Sequence, residues 1–118
     1  MRYADGFVVP VPKKNLRSYR SISKKAGKIW REFGALEYVE SVGDDLKIKF
    51  AVPFTKIIKL KPGETVVFSF ILYKSRKDRD RINAKVMKDP RMAKMMGKAM
   101  PFDFKRMVYG GFKVFVDM

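Results

Sequence analysis

Between Arg79 and Val86 the sequence has a helical segment on which Ile82 and Val86 share one face, while Arg79 and Asn83 lie about 60° to 100° round from Ile82, at its margin. A guanidinium and an amide at such a boundary must find partners. As functional groups, Arg79 is an anion clamp and Asn83 an orienting amide for a ligand held between helix and sheet. As structural groups, they cap loops or pair with Asp103 or Glu37. An earlier helical stripe carries Tyr19, Trp30 and Phe33, which either line a pocket for a flat ligand or are simply core. The chain has no His and no Cys. That excludes imidazole bases, thiolate nucleophiles, disulfides and Cys/His zinc sites. A proton-transferring enzyme would need Asp, Glu, Lys or Tyr with a shifted pKa, and Glu37 or Asp103 near Arg106 or Tyr109 are the candidates. Tyr19, Trp30, Glu37, Arg79, Asn83, Asp103, Arg106 and Tyr109 therefore form the predicted ligand pocket. Neither a metal-ligand set nor a cofactor motif is expected. Asp44-Asp45 after Gly43 reads as an acid pair or, more simply, as turn residues. Met87, Met92, Met95, Met96 and Met100 form a soft surface that fills gaps or meets a partner.

Six main elements must position these groups. Residues 3 to 11 read as a strand stopped by Pro10 and Pro12. Lys13 to Phe33 has apolar residues at three-and-four spacing, a helix closed by Gly34. Leu36 to Val42 is a second strand. Leu46 to Lys61 is an extended excursion broken by Pro53 and Pro62. Thr65 to Tyr73 is continuously apolar, which predicts a central strand covered on both faces. Ser75 caps a helix running to about Asp89, and Arg91 to Lys98 forms a short Met-rich helix. The last strand lies in Met107 to Val116, where Gly110-Gly111 predicts a bulge or a close backbone approach. This order, strand-helix-strand-strand-helix-strand, is that of the ferredoxin-like plait: an α+β fold with a four-stranded antiparallel sheet and two main helices on one face. One domain spans residues 1–118. Because the strands are apolar on both sides, the uncovered sheet face is expected to form a homodimer with a second copy.

The 118 residues carry 27 Lys and Arg against 12 Asp and Glu, a net charge of +15. Residues 13–33 hold eight basic residues and one acid, residues 74–98 ten and three, so each segment is +7 and the remainder nearly neutral. Lys13, Arg17, Arg20, Lys24, Lys28 and Arg31 form one helical stripe, and Lys77, Arg81, Lys85 and Lys88 another. They are either a polyanion surface, suited to nonspecific nucleic-acid binding, or a solvated helix exterior. The longest apolar run, Val66 to Tyr73, is far below the roughly 20 residues of a membrane helix, and an acid at position 5 does not suit an export signal. A cytoplasmic protein without membrane association is expected.

Several segments together resemble a known family. These are Tyr3-x-Asp5-Gly6-Phe7-x-x-Pro10-Val11-Pro12-Lys13-Lys14-Asn15-Leu16, Gly34-Ala35-Leu36-Glu37-Tyr38, Val42-Gly43-Asp44-Asp45, Glu64-Thr65-Val66-Val67-Phe68-Ser69, Arg79 to Pro90, Pro101-Phe102-Asp103 and Lys105 to Phe112. Almost end to end, the chain resembles the YbaA-like family of small bacterial proteins. The resemblance implies a dimeric ferredoxin-like α+β barrel with no established biochemical role, and it carries over no catalytic residue. Cofactor-free oxygenases in the same broad superfamily leave an enzyme reading open by fold analogy alone.

Overall fold

The first strand passes through Pro10 and ends at Pro12, as the two prolines lead one to expect. In the computed structural model, which describes every residue from Met1 to Met118, β1 runs Tyr3–Pro12. It pairs along its whole length with β3 (Glu64–Tyr73), Pro10 facing Val66 and Pro12 facing Glu64. On its other side β4 (Val108–Lys113) stops at Val108, opposite Val8. The prolines thus occupy a stretch with no partner strand to which an N–H would donate, which is where a sheet tolerates them.

A short 3-10 turn, Lys13–Asn15, leads into α1 (Leu16–Glu32), and Gly34 at φ +117° reverses the chain into β2 (Glu37–Val42). The excursion that follows is not wholly extended. It contains α2 (Phe54–Ile58), too short to show a period in the sequence, which buries Ile58 and ends at Lys59 in the left-handed region. After β3, Ser75 accepts the Asp78 N–H at 3.1 Å and opens α3 (Arg76–Lys88). Asp89 accepts the Arg91 N–H at 2.8 Å, and with Pro90 at the first helical position it starts α4 (Pro90–Met96). The sheet order is β2-β3-β1-β4, antiparallel throughout, with α1 and α3 as the two main helices: the expected α+β plait. Gly110-Gly111 makes no bulge, since Gly6 and Asp5 of β1 pair with the two glycines in unbroken register. It does make a close approach: a Cβ on Gly111 would lie 2.9 Å from Arg79 Nη2.

Strand alternation divides the sheet into two faces. Tyr3, Asp5, Phe7, Val9 and Val11 of β1 share the helix-covered face with Thr65, Val67, Ser69, Ile71 and Tyr73 of β3. Val39, Phe68, Phe70, Leu72, Val108 and Phe112 lie on the other face. That outer face is not closed within one chain. Phe68 of the central strand is 46% exposed and Phe112 61% exposed, because α2 reaches only one end of the sheet, where Phe54 meets Phe68. Under the helices the core forms two clusters. Ala26, Ile29, Ala35, Ile71, Tyr73, Ile82, Val86 and Met92 form one, and Val9, Val11 and Val67, backed by Leu16 and Phe102, the other. Ile82 is fully enclosed and joins α3 to the sheet. Ile82→Ala is expected to lower stability by about 2–5 kcal/mol in urea titration, through lost burial and the cavity left behind.

Candidate functional site

The two core clusters do not meet. Between them lies a cavity of about 360 Å³, with Val9 of one cluster and Ala26, Ile71 and Met92 of the other in its walls. Tyr19, Ile22, Ala26 and Trp30 of α1 form one wall, and Phe7, Val9, Ser69 and Ile71 of the sheet form another. Met87, Met92, Met95, Met96, Met100 and Met107 supply much of the rest, six of the eight methionines in the chain. The Met-rich segment therefore neither fills every gap nor lies wholly outside. It forms a deformable wall, as unbranched thioether side chains allow.

One polar cluster interrupts this lining. Asp5, 1% exposed, projects from β1 into the cavity wall. Its Oδ2 accepts from the Tyr73 hydroxyl at 3.0 Å and from Asn83 Nδ2 at 3.4 Å, and its Oδ1 accepts from the Tyr109 hydroxyl at 3.1 Å. Arg79 Nε is 3.8 Å from Oδ1 and 3.3 Å from Asp80 Oδ1, an ion pair with each, but it meets neither in hydrogen-bond geometry. Its Nη1 and Nη2 donate to the hydroxyls of Tyr109 and Tyr3, and the guanidinium lies 4.9 Å over the Tyr3 ring. Trp30 Nε1 donates to Asn83 Oδ1 at 3.0 Å. A buried carboxylate is costly without donors and a counter-charge, and here β1, β3, β4, α1 and α3 each contribute to satisfying it. Burial first, and the Asp5 charge second, push the Tyr73 and Tyr109 phenols up. Burial works against the Arg79 charge, but the Tyr3 hydrogen bond and Asp5 outweigh it and raise its pKa.

A second carboxylate, Glu40 on β2, takes one hydroxyl on each oxygen. Tyr19 donates to Oε1, and Tyr38 donates to Oε2 at 2.8 Å. Tyr38 lies flat against α1 at Gly27, where a Cβ would come within 2.6 Å of its ring. Burial, then Glu40, raise the pKa of both phenols, so they remain donors.

Of the residues expected to form a pocket, Tyr19, Trp30, Asn83 and Tyr109 line the cavity, and Arg79 reaches it through Tyr109 and Asp5. Glu37, Asp103 and Arg106 do not. Glu37 shares the outer-face parity of β2. Asp103 caps the Lys105 N–H in a surface turn. Arg106 makes a bidentate pair with Glu64 at 2.7 and 2.9 Å and binds the Lys59 carbonyl, holding the excursion against the start of β3. Arg79 and Asn83 pair with Asp5 rather than with Asp103 or Glu37. Asp5, Tyr73, Tyr38 and Glu40 are absent from the predicted set. A signal existed for them: in Tyr3-Ala4-Asp5-Gly6-Phe7-Val8-Val9 the acid lies in phase with the large apolar residues, and Tyr38 and Glu40 share one strand face. Lys13, Arg17, Arg20, Lys24, Lys28, Arg31, Lys77, Arg81, Lys85 and Lys88 are all exposed. Arg31 also donates to the Ala35 and Leu36 carbonyls, and Arg81 pairs with Asp78. Asp44 and Asp45 lie in an exposed loop, and no group of three or more acidic side chains converges as a metal site would require.

Four tyrosines, three in the cavity wall and Tyr73 bonded to Asp5 beside it, have an alkaline consequence. Tyr19, Tyr38, Tyr73 and Tyr109 all titrate above their ordinary value of about 10 in the folded state. Above that pH the unfolded chain loses phenolic protons that the folded chain keeps, so stability falls as pH rises, while below it these groups contribute no slope. Absorbance at 295 nm is expected to show most of the phenolate appearing together with loss of near-ultraviolet circular dichroism. Full reversible ionisation of the tyrosines in a folded protein near pH 10 would contradict the burial.

Residues 2–104 match the family model described as a protein of unknown function, DUF1428. The chain is 46% identical over 117 residues to the uncharacterized protein YbaA of Escherichia coli K12, covering 99% of each, and shows the same identity to YbaA of Shigella flexneri. Among solved structures it is similar in fold to Rv0793 from Mycobacterium tuberculosis, with TM-score 0.61 and 13% identity over 99% of this chain and 98% of that one. It is similar also to a dimeric ferredoxin-like protein from an uncultured marine organism, with TM-score 0.59 and 12% identity over all of both chains. At such identities the structures speak to fold alone, whereas the family match and the YbaA identity span nearly the whole sequence: the chain belongs to the DUF1428, YbaA-like family of proteins of unknown function.

Proposed function

We propose that the protein is a homodimeric small-molecule-binding domain, in which the cavity between helices and sheet takes the apolar body of a small ligand. The observation that carries this reading is the cavity itself, an apolar space of about 360 Å³ with a buried, cross-linked carboxylate at one point of its wall. Binding sites for small molecules have this size and this balance of apolar wall and few polar groups. Trp30, the single tryptophan, reports on the space directly. Titration with the neutral apolar fluorophore N-phenyl-1-naphthylamine is expected to quench Trp30, and Ala26→Phe, which fills the cavity from α1, to weaken binding about tenfold or more, or 1.4 kcal/mol. Probe binding that leaves Trp30 unchanged and is indifferent to Ala26→Phe would overturn the reading.

The homodimer rests on the outer sheet face. The single chain exposes 8547 Å², against about 6,600 Å² for a compact monomer of its mass, an excess of about 1,900 Å². The exposed Val39, Phe68, Val108 and Phe112 are apolar residues on one flat face. A face-to-face pair of sheets would cover them, at or above the roughly 800 Å² per partner of an ordinary interface. Sedimentation should give twice 13.7 kDa, and Phe68→Asp should give monomer; a wild-type monomer at all concentrations would remove the dimer.

A second reading, an enzyme using a carboxylate and a tyrosine, draws on one contact, the 3.1 Å hydrogen bond from the Tyr109 hydroxyl to Asp5 Oδ1 at the cavity wall. In that reading Asp5 and Tyr109 exchange a proton with a bound substrate. Nonspecific polyanion binding by the exposed basic stripes follows from charge alone and would disappear at high salt.

A further inference from the structure

Helix α1 carries two adjoining stripes with different surroundings. Tyr19, Ile22, Ala26 and Trp30 face the apolar cavity. Arg20, Lys24, Gly27, Lys28 and Arg31, one or two positions on at each turn, line a groove of about 840 Å³ along the seam between α1 and the edge strand β2. Lys25 also borders that groove, so five basic side chains stand against one acid, Glu40. The cavity and the groove share Tyr19, Ser23, Tyr38 and Glu40 in their walls. The partition between them is therefore a single layer of side chains: the two tyrosine hydroxyls on the two oxygens of Glu40, with the Tyr38 ring against Gly27.

From this juxtaposition we infer that the ligand is a free anionic amphiphile, its apolar body in the cavity and its carboxylate or phosphate head among Arg20, Lys24, Lys28 and Arg31 in the groove. The inference rests on the ligand-binding reading of the cavity and adds the chemical class. An apolar space with only one buried acid cluster supplies no cationic partner for such a head, since Arg79 is already engaged by Asp5, Tyr3 and Tyr109. The groove supplies several, within one side-chain layer of the apolar space. Glu40 does not cancel them. Both its oxygens accept hydroxyls from the partition, and the groove's basic side chains outnumber it five to one. The basic excess of the first helical segment thus acquires a partner that is neither nucleic acid nor bulk solvent.

The test compares three probes of one chain length, decanoate, decanol and decyltrimethylammonium, by quenching of Trp30 in the full-length protein at low and high salt. Decanoate is expected to bind roughly tenfold more tightly than decanol at low salt, as two or three partly screened ion pairs allow, with the cationic probe weakest. Lys24→Glu with Lys28→Glu should abolish the preference for decanoate and leave decanol binding unchanged. Lys77→Glu with Lys85→Glu on α3, the same change of net charge away from the groove, should retain it. Equal binding of decanoate and decanol, or equal loss in both double variants, overturns the inference while leaving the cavity reading intact. Failure of all three probes to move Trp30 removes the cavity reading as well. Cosedimentation with vesicles of anionic phosphoglycerol lipid, without a response to free decanoate, would assign the groove to a membrane surface and overturn the inference.

Discussion

A carboxylate placed under the helices of a small sheet has to be neutralised or it unfolds the protein, and much of this structure can be understood as the answer to Asp5. Its oxygens draw hydroxyls from β3 and β4, an amide from α3 and a guanidinium one turn earlier, and the amide is held in turn by the indole of α1. Five elements distant in sequence are fixed relative to one another by this one group. Gly111 is part of the same constraint, because any side chain there would collide first with the Tyr3 hydroxyl and then with the Arg79 guanidinium that donates to it. Such networks are strong when every member is satisfied and costly when one is missing. The buried Arg79 Nε, which meets no acceptor in hydrogen-bond geometry, is the single unfilled place in it.

The cavity lies beside the same cluster. On the helix-covered face the core under α3 runs from Tyr73 through Ile71, the partner of Asp5, to Phe7, and the second core, Val9, Val11 and Val67, begins beyond Ser69, beside the start of α1. The space between is bounded by methionines, which adapt to what they surround. The carboxylate of Glu40, with two tyrosine hydroxyls, forms part of the wall that the cavity shares with the α1–β2 seam. Two acids thus organise the interior of a chain whose net charge is +15, while the basic residues remain outside and the outer sheet face stays apolar.

Much of the architecture was legible in the residues. Ser75, Gly34 and Pro90 mark helix ends whose backbone requirements are local, and the apolar stripes of the helices repeat at a period only a helix satisfies. The order of elements then leaves few ways to pair four strands. The prolines of β1 marked the end of the strand, but a proline reports only its missing donor, and that Pro10 and Pro12 still pair with β3 was not legible. The short helix α2 carried no periodic signal. The site was half legible for a related reason. Trp30, Asn83 and Arg79 stood out as polar or aromatic groups at the margin of a buried face, but the partner that binds them was sought at Asp103 and Glu37, on segments that turn elsewhere.

The sequence alone determined the main elements apart from α2, the sheet's two apolar faces, the concentration of charge on two helices and the absence of imidazole and thiol chemistry, because each depends on residue type and short-range spacing. Tertiary structure alone decided that Asp5 meets Arg79, Asn83, Tyr73 and Tyr109, and that an apolar space and a basic groove share one wall. These are contacts between residues up to 104 positions apart, set by strand register and helix placement, and a single residue's slip in register would turn Asp5 to the opposite face of the sheet.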